Sequence, residues 1–306
     1  MRSGEPNPPW PINGVEPRLE PGGYDAVLRM ATNTLRRTIA RQIVAIFNDV
    51  DRGERPVRRR PDGLFGPNAV AWRVHGDVTT MMIGGVAGLL LQMLHPAVLA
   101  GVWDHSNFRH DMAGRLRRTA RFIALTTYAS RDEAETAIAR VRAVHRGIGG
   151  TLPDGTSYRA DDPELLAWVH VTEVSSFLAA WIRYAEPSMP RVRQDLYFAE
   201  VATIAEALGA DPVPRDRAGA DALIAAMKAR LHADARTREV ARLLLSQHAD
   251  NLVTEPLLRV TLQAGVDLLP DWARRMHGLN PSAPMRHAVR AGALGIAGAL
   301  RWVFAG

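Results

Sequence analysis

The sequence predicts an all-α fold, a single helical domain of about ten helices. Long segments place apolar residues at three-to-four-residue spacing, the period of a helix with one buried face. Few segments show the two-residue alternation of a half-buried strand. The composition, 47% hydrophobic and 23% charged over 306 residues, is an ordinary globular mixture long enough to enclose a core.

The chain opens with a Pro-rich arm over residues 1–25, whose prolines suit an extended segment. The domain over 26–306 follows. Helical periodicity predicts elements at about 25–50, 78–95, 113–129, 131–148, 163–185, 192–209, 219–231, 235–247, 254–266 and 285–303. "PDGLFGPNAV" and "LPDGTSY" are turn-rich connections between them. Val78 to Leu94 is the longest apolar run. It is short for a membrane span, contains Gln92 and stops at His95-Pro96, which favours a buried core helix. The tail Ala291 to Phe304 suits packing on its own domain or peripheral contact with a membrane surface.

Composition narrows the function classes. There is no cysteine, which excludes disulfides, Cys-rich zinc sites, iron–sulfur clusters and a thiolate haem ligand. The net charge of +6 is carried by arginine, with Lys228 the only lysine. These cations are scattered rather than interleaved with aromatics, so no nucleic-acid partner is expected; the densest run, Arg52 to Gly63, reads as a solvated loop. No apolar stretch follows Arg2, so no secretory signal is read and a cytoplasmic location is expected.

The segment ending "ARVRAVHRGIGG" has clear boundaries. Ser130 and Glu133 match a capping box, and Gly149 and Gly150 stop the helix. Ile138, Val141, His145 and Ile148 share one face, setting His145 into the core-facing stripe. A histidine there is ordinarily a core residue hydrogen-bonded to a neighbour; the sharper alternative is a metal or cofactor ligand. In the preceding helix Arg115, Arg118 and Thr119 stand at i, i+3 and i+4, a face suited to an anionic group or a polarised oxygen, or simply to solvent. Downstream, Asp161 or Asp162 caps a helix with Pro163 in its first turn, and its stripe carries His170 and Glu173 between Leu166 and Trp181. His95, His105 and His110 cluster near the break at Pro96.

Several chemistries lack their motifs. No histidine has a glutamate three residues before it, as a di-iron bundle needs. His-Glu-x-x-His, the P-loop, Gly-x-Gly-x-x-Gly and Gly-x-Ser-x-Gly are also missing. A non-covalent cofactor held by one histidine in an apolar helical pocket survives. Haem b fits, since it asks for one axial imidazole, apolar walls and cations for its propionates.

The stretch from Leu89 to Trp181 resembles the MpaB-type oxygenase family, which includes rubber oxygenases. The features that carry the resemblance are "LHP", "DHS", Arg115-x-x-x-Thr119, the histidine before a glycine turn, and "DPELLAWVH". It extends over about residues 65–260. The resemblance implies an all-α haem b protein that uses dioxygen on carbon–carbon double bonds of isoprenoid chains. It places the iron ligand on His145, a further histidine beside the haem on His170, and the distal arginine and threonine on Arg115 and Thr119. Arg118 stands where rubber oxygenases have a lysine able to approach the iron; an arginine keeps its proton and makes a poor ligand. A catalytic glutamate upstream of Arg115 has no counterpart, because Asp77 is the only acid between Gly66 and Trp103; His95 or His105 would have to serve.

These readings lead to an intracellular haem b (iron) oxidoreductase, an oxygenase or a peroxidase-like enzyme. It would act on a small apolar, isoprenoid or otherwise unsaturated substrate with dioxygen or peroxide. His145 would bind iron, Arg118 and Thr119 would be catalytic on the oxygen side, and Arg115 and His170 would help hold the cofactor. A member that binds haem without oxygenating is a second reading. The third is a non-catalytic helical module for an apolar ligand or a membrane surface.

Overall fold

The computed structural model describes residues 34, 36–40, 53–249 and 254–304. The Pro-rich arm and most of the helix expected at 25–50 lie outside the described residues. Within them the chain is all-α apart from one small hairpin, as the periodicity predicts.

The first elements are a short helix α1 (Val70–Val74) and the long apolar helix α2 (Val78–Gln92). Asp77 caps α2 by accepting from the Thr80 backbone N–H. The helix predicted to run to residue 95 stops at Gln92, and the chain turns by 105° into α3 (Pro96–His105), an element the periodicity did not separate. Pro96 sits in the first turn of α3, where its missing N–H has no intrahelical acceptor to lose.

Next comes an antiparallel helical pair, α4 (Met112–Tyr128) and α5 (Arg131–Arg146). Asp111 caps α4 on the Gly114 N–H at 2.8 Å. Both halves of the expected capping box at Ser130 and Glu133 form. The buried stripe of α5 carries Ala134 and Ile138, with Val141, His145 and Ile148 partly buried on the same face. "LPDGTSY" is the tip of a hairpin the sequence did not reveal: β1 (Gly149–Thr151) pairs antiparallel with β2 (Ser157–Arg159), Gly150 opposite Tyr158. Gly155 turns the hairpin at φ 88°, a left-handed conformation that glycine adopts without steric cost.

Helix α6 (Pro163–Tyr184) runs through the middle of the molecule, capped by Asp162 on the Glu164 and Leu165 N–H groups. It alone among the described helices is long and apolar enough to cross a membrane, and 72% of that window is buried inside the protein. The remaining helices are α7 (Arg191–Leu208), α8 (Arg217–Met227), α9 (Ala235–Leu245), α10 (Glu255–Leu268), α11 (Asp271–His277) and α12 (Ala283–Phe304). The core lies on both sides of α6. One part joins α2 to α9, α10 and α11 through Ile83, Leu90, Leu244 and Leu269. The other joins α6 to α1 and α7 through Trp168, Tyr197 and Phe198. Ala293, Ala297, Leu300 and Val303 of α12 turn inward, whereas Met285, Leu294 and Trp302 remain exposed.

Candidate functional site

The axis of the site is the contact between α2 and α6. Gly84, Gly85 and Gly88 form a small-residue stripe on α2 facing α6. A Cβ at Gly84 would stand 2.8 Å from the Phe177 ring and 2.9 Å from its Cα. At Gly88 it would stand 3.3 Å from the Glu173 Cα. The stripe therefore lets α6 approach closely enough to bring Glu173 and Phe177 to the wall of a hollow of about 660 Å³. That hollow lies between α2, α4, α6 and α10, with Phe304 of α12 at its edge. Met81, Val86, Leu89, Leu116, Leu258 and Leu262 give it apolar walls.

The polar groups on that wall include four arginines, Arg59, Arg115, Arg117 and Arg121, and one carboxylate, Glu173, and they differ in character. His75, just after α1, is fully committed: its Nδ1 lies 2.8 Å from the Thr127 hydroxyl and its Nε2 2.8 Å from the Tyr197 hydroxyl. Burial lowers its pKa to about 3, so the ring is neutral. Arg115 donates to the Ser106 hydroxyl at 3.0 Å. Desolvation, and then the neighbouring Arg118 charge, lower its pKa to about 10, which leaves it a cation at neutral pH. The Thr119 hydroxyl donates to the Arg115 carbonyl at 3.3 Å. Glu173 has no hydrogen-bond or ion-pair partner among the described residues, and burial pushes its carboxyl up to about 7.

Of the residues singled out in the sequence, Arg115 and Thr119 meet at the hollow. Arg118 does not. It is 60% exposed and pairs at 3.3 Å with Asp111, the cap of its own helix, while Arg117 lines the hollow. His145 and His170 also stand outside the wall. His145 occupies the last turn of α5. Its Nδ1 is buried, and neither ring nitrogen has a partner among the described residues. Burial lowers its pKa, opposed by the Asp161 carboxylate, which raises it. His170, one turn before Glu173 on α6, likewise has both ring nitrogens unpartnered, with Nε2 buried. Burial takes its pKa to about 4.

His95 is buried with its Nδ1 unpartnered. His105 donates through Nε2 to the Gly149 carbonyl at 3.1 Å. Neither is on the wall of the hollow.

A family model described as "ER-bound oxygenase mpaB/B'/Rubber oxygenase, catalytic domain" matches residues 72–302. The chain belongs to this MpaB/rubber oxygenase family. No curated protein and no solved structure matches it. The matched region begins in α1 and ends in α12, so the MpaB/rubber oxygenase domain takes in every helix that walls the hollow. The family is one of oxygenase catalytic domains, and the chain is an enzyme of that general kind.

Sequence reasoning left two wall residues without a role. His75 follows a five-residue helix too short to show a period. Glu173 was visible as a carboxylate on an apolar stripe, but its lack of a partner depends on what the other helices put opposite it.

Proposed function

We propose that the chain is a haem b-dependent oxygenase acting on a small apolar, unsaturated substrate with dioxygen, in which His145 would bind the iron. The observation that carries this reading is the state of His145. It is a partly buried imidazole whose pKa burial lowers, with its buried Nδ1 unpartnered and no hydrogen bond to either ring nitrogen among the described residues. An uncommitted lone pair is what a metal ligand requires. Among the described residues no three of His, Asp and Glu gather as a set able to hold a bare metal ion. A haem, which needs a single protein imidazole for its iron, would be held by His145.

The chain's other groups have definable tasks. Arg115, held by Ser106, supplies a fixed cation for the carboxylates of the cofactor. Thr119 lines the hollow, and its hydroxyl would donate to a polarised oxygen there by exchanging its long 3.3 Å bond to the Arg115 carbonyl. Arg118 is drawn toward Asp111 and reaches the site only by releasing that exposed pair, which is weakly held. The apolar walls exclude water and give an apolar substrate its binding surface. When bound, haem supplies the electron-transfer chemistry that activates dioxygen.

The test is an absorption spectrum and pyridine haemochrome assay on wild type, His145→Ala and His170→Ala. The expected result is haem in the wild type, loss of most of it in folded His145→Ala, and retention in His170→Ala. If only His170→Ala loses the cofactor, the iron-binding role belongs to His170. Wild-type protein unable to take up haem would remove the cofactor from the proposal.

A further inference from the structure

Glu173 is an unusual group to leave on an apolar wall. A carboxyl removed from bulk water normally finds an arginine, a hydroxyl or a backbone N–H. Here α2 presents glycine to it, and the groups around the hollow leave it without a bond. Two polar groups of the same wall are engaged elsewhere: His75 is spent on Thr127 and Tyr197, and Arg115 on Ser106. A carboxyl with no partner among the described residues, facing a space large enough for a ligand, is open to satisfaction by a ligand.

We propose that the hollow is a substrate chamber for an apolar molecule carrying one neutral oxygen, a hydroxyl or a carbonyl, and that Glu173 binds that oxygen. This rests on the reading that His145, outside the wall, holds the cofactor, so that the hollow is left for substrate. The walls set the apolar character and Glu173 sets the polar preference. A carboxyl that burial holds near neutrality is present in both forms at physiological pH. Its acid form donates to a carbonyl or hydroxyl oxygen, and its ionised form accepts from a hydroxyl. The ionised form repels an anionic head group, whereas the cations on the same wall, Arg59, Arg115, Arg117 and Arg121, would draw one, so the ranking of decanoate against decanol decides whether Glu173 or the arginines set the preference.

Displacement of Nile red from the purified protein by decanol, chlorodecane and decanoate tests this, with haem content recorded on the same samples. Wild type is expected to bind decanol on the order of tenfold more tightly than chlorodecane. Glu173→Leu is expected to lose that preference while binding chlorodecane at least as well as wild type. Glu173→Gln, which keeps a donor and an acceptor, should retain part of it, and it stands as the second test if the leucine variant fails to fold.

Three outcomes overturn the proposal: equal decanol preference in wild type and Glu173→Leu, decanoate as the tightest ligand of the wild type, or no displacement by any of the three. The haem measurement separates the two readings. A decanol preference that depends on Glu173 in protein unable to take up haem sustains the chamber and sinks the cofactor assignment; haem-loaded protein without the preference does the reverse.

Discussion

Glu173 shows what a single buried group does to stability. Its carboxyl ionises near 7 in the folded protein against 4.5 when unperturbed, because burial disfavours the charge. A raised acid pKa means that the folded state holds the proton more tightly than the unfolded chain. Stability is therefore lost as pH rises from about 4.5 through about 7. Glu173→Gln removes that loss. Relative to wild type, the variant should gain roughly 2 to 3 kcal/mol between pH 5 and pH 8, read from urea midpoints at the two pH values. A constant difference between the two proteins would show that the carboxyl is hydrated in solution. His75 is the opposite case at the same wall, a polar group whose hydrogen bonds are fully met and which serves the packing of α1, α4 and α7.

At the scale of elements, close approach and charge hold the site's walls in place. Gly84 lets α2 touch α6 at Phe177. Gly84→Ala would set a methyl group 2.9 Å from the Phe177 backbone and force the helices apart. That should cost about 1–3 kcal/mol. Gly85→Ala, with its nearest neighbour at 3.8 Å, should be neutral or slightly stabilising through helix propensity. Thermal melts of the pair distinguish steric approach from a general intolerance of α2 to substitution.

The other side of α6 is fastened by charge. Asp267 of α10 is 1% exposed and receives Arg183 of α6 at 3.1 Å, Arg290 of α12 at 2.6 Å and Arg286 of α12 at 2.5 Å. Removing the shared carboxylate leaves three guanidiniums converging on one point. Each is about a third exposed and can return to water, which limits the loss. Asp267→Ala should destabilise by about 3 kcal/mol in urea denaturation. An effect below 1 kcal/mol would mean the cluster orders side chains without holding the helices.

For the whole molecule, buried neutral histidines outweigh Glu173 in acid. His75, His95 and His170 have pKa values lowered by burial to about 3, about 4 and about 4, against 6.5 when exposed. A lowered histidine pKa contributes stability above 6.5 that disappears as pH falls, because the unfolded chain takes up protons first. Glu173 gains over the same interval but is one group against three. Between pH 7.5 and pH 5 the protein should lose roughly 3 kcal/mol net, seen as a lower urea midpoint. A midpoint that holds or rises on acidification would show that these imidazoles are solvated.

The sequence by itself determined the helical fold, the approximate bounds of the longer helices from α4 onward, and the family. Helix period, capping residues such as Ser130 with Glu133, and stop signals such as Gly149 act between near neighbours in the chain, so they can be read without the fold. The Arg115–Thr119 pairing was legible for the same reason, since i and i+4 share a face whatever surrounds them. The break at Gln92 with the α3 that follows it, the β hairpin, and the short helices α1 and α11 escaped because few residues carry their patterns.

Only the tertiary structure decided which residues meet. His145 and Arg118 were singled out by local position, yet one stands behind the wall and the other turns to Asp111 and solvent. Glu173 reaches the hollow because α2, some eighty residues earlier, offers glycine at the point of contact. Burial, partnering and pKa are properties of what lies opposite a side chain, and what lies opposite is supplied by distant segments that periodicity cannot place.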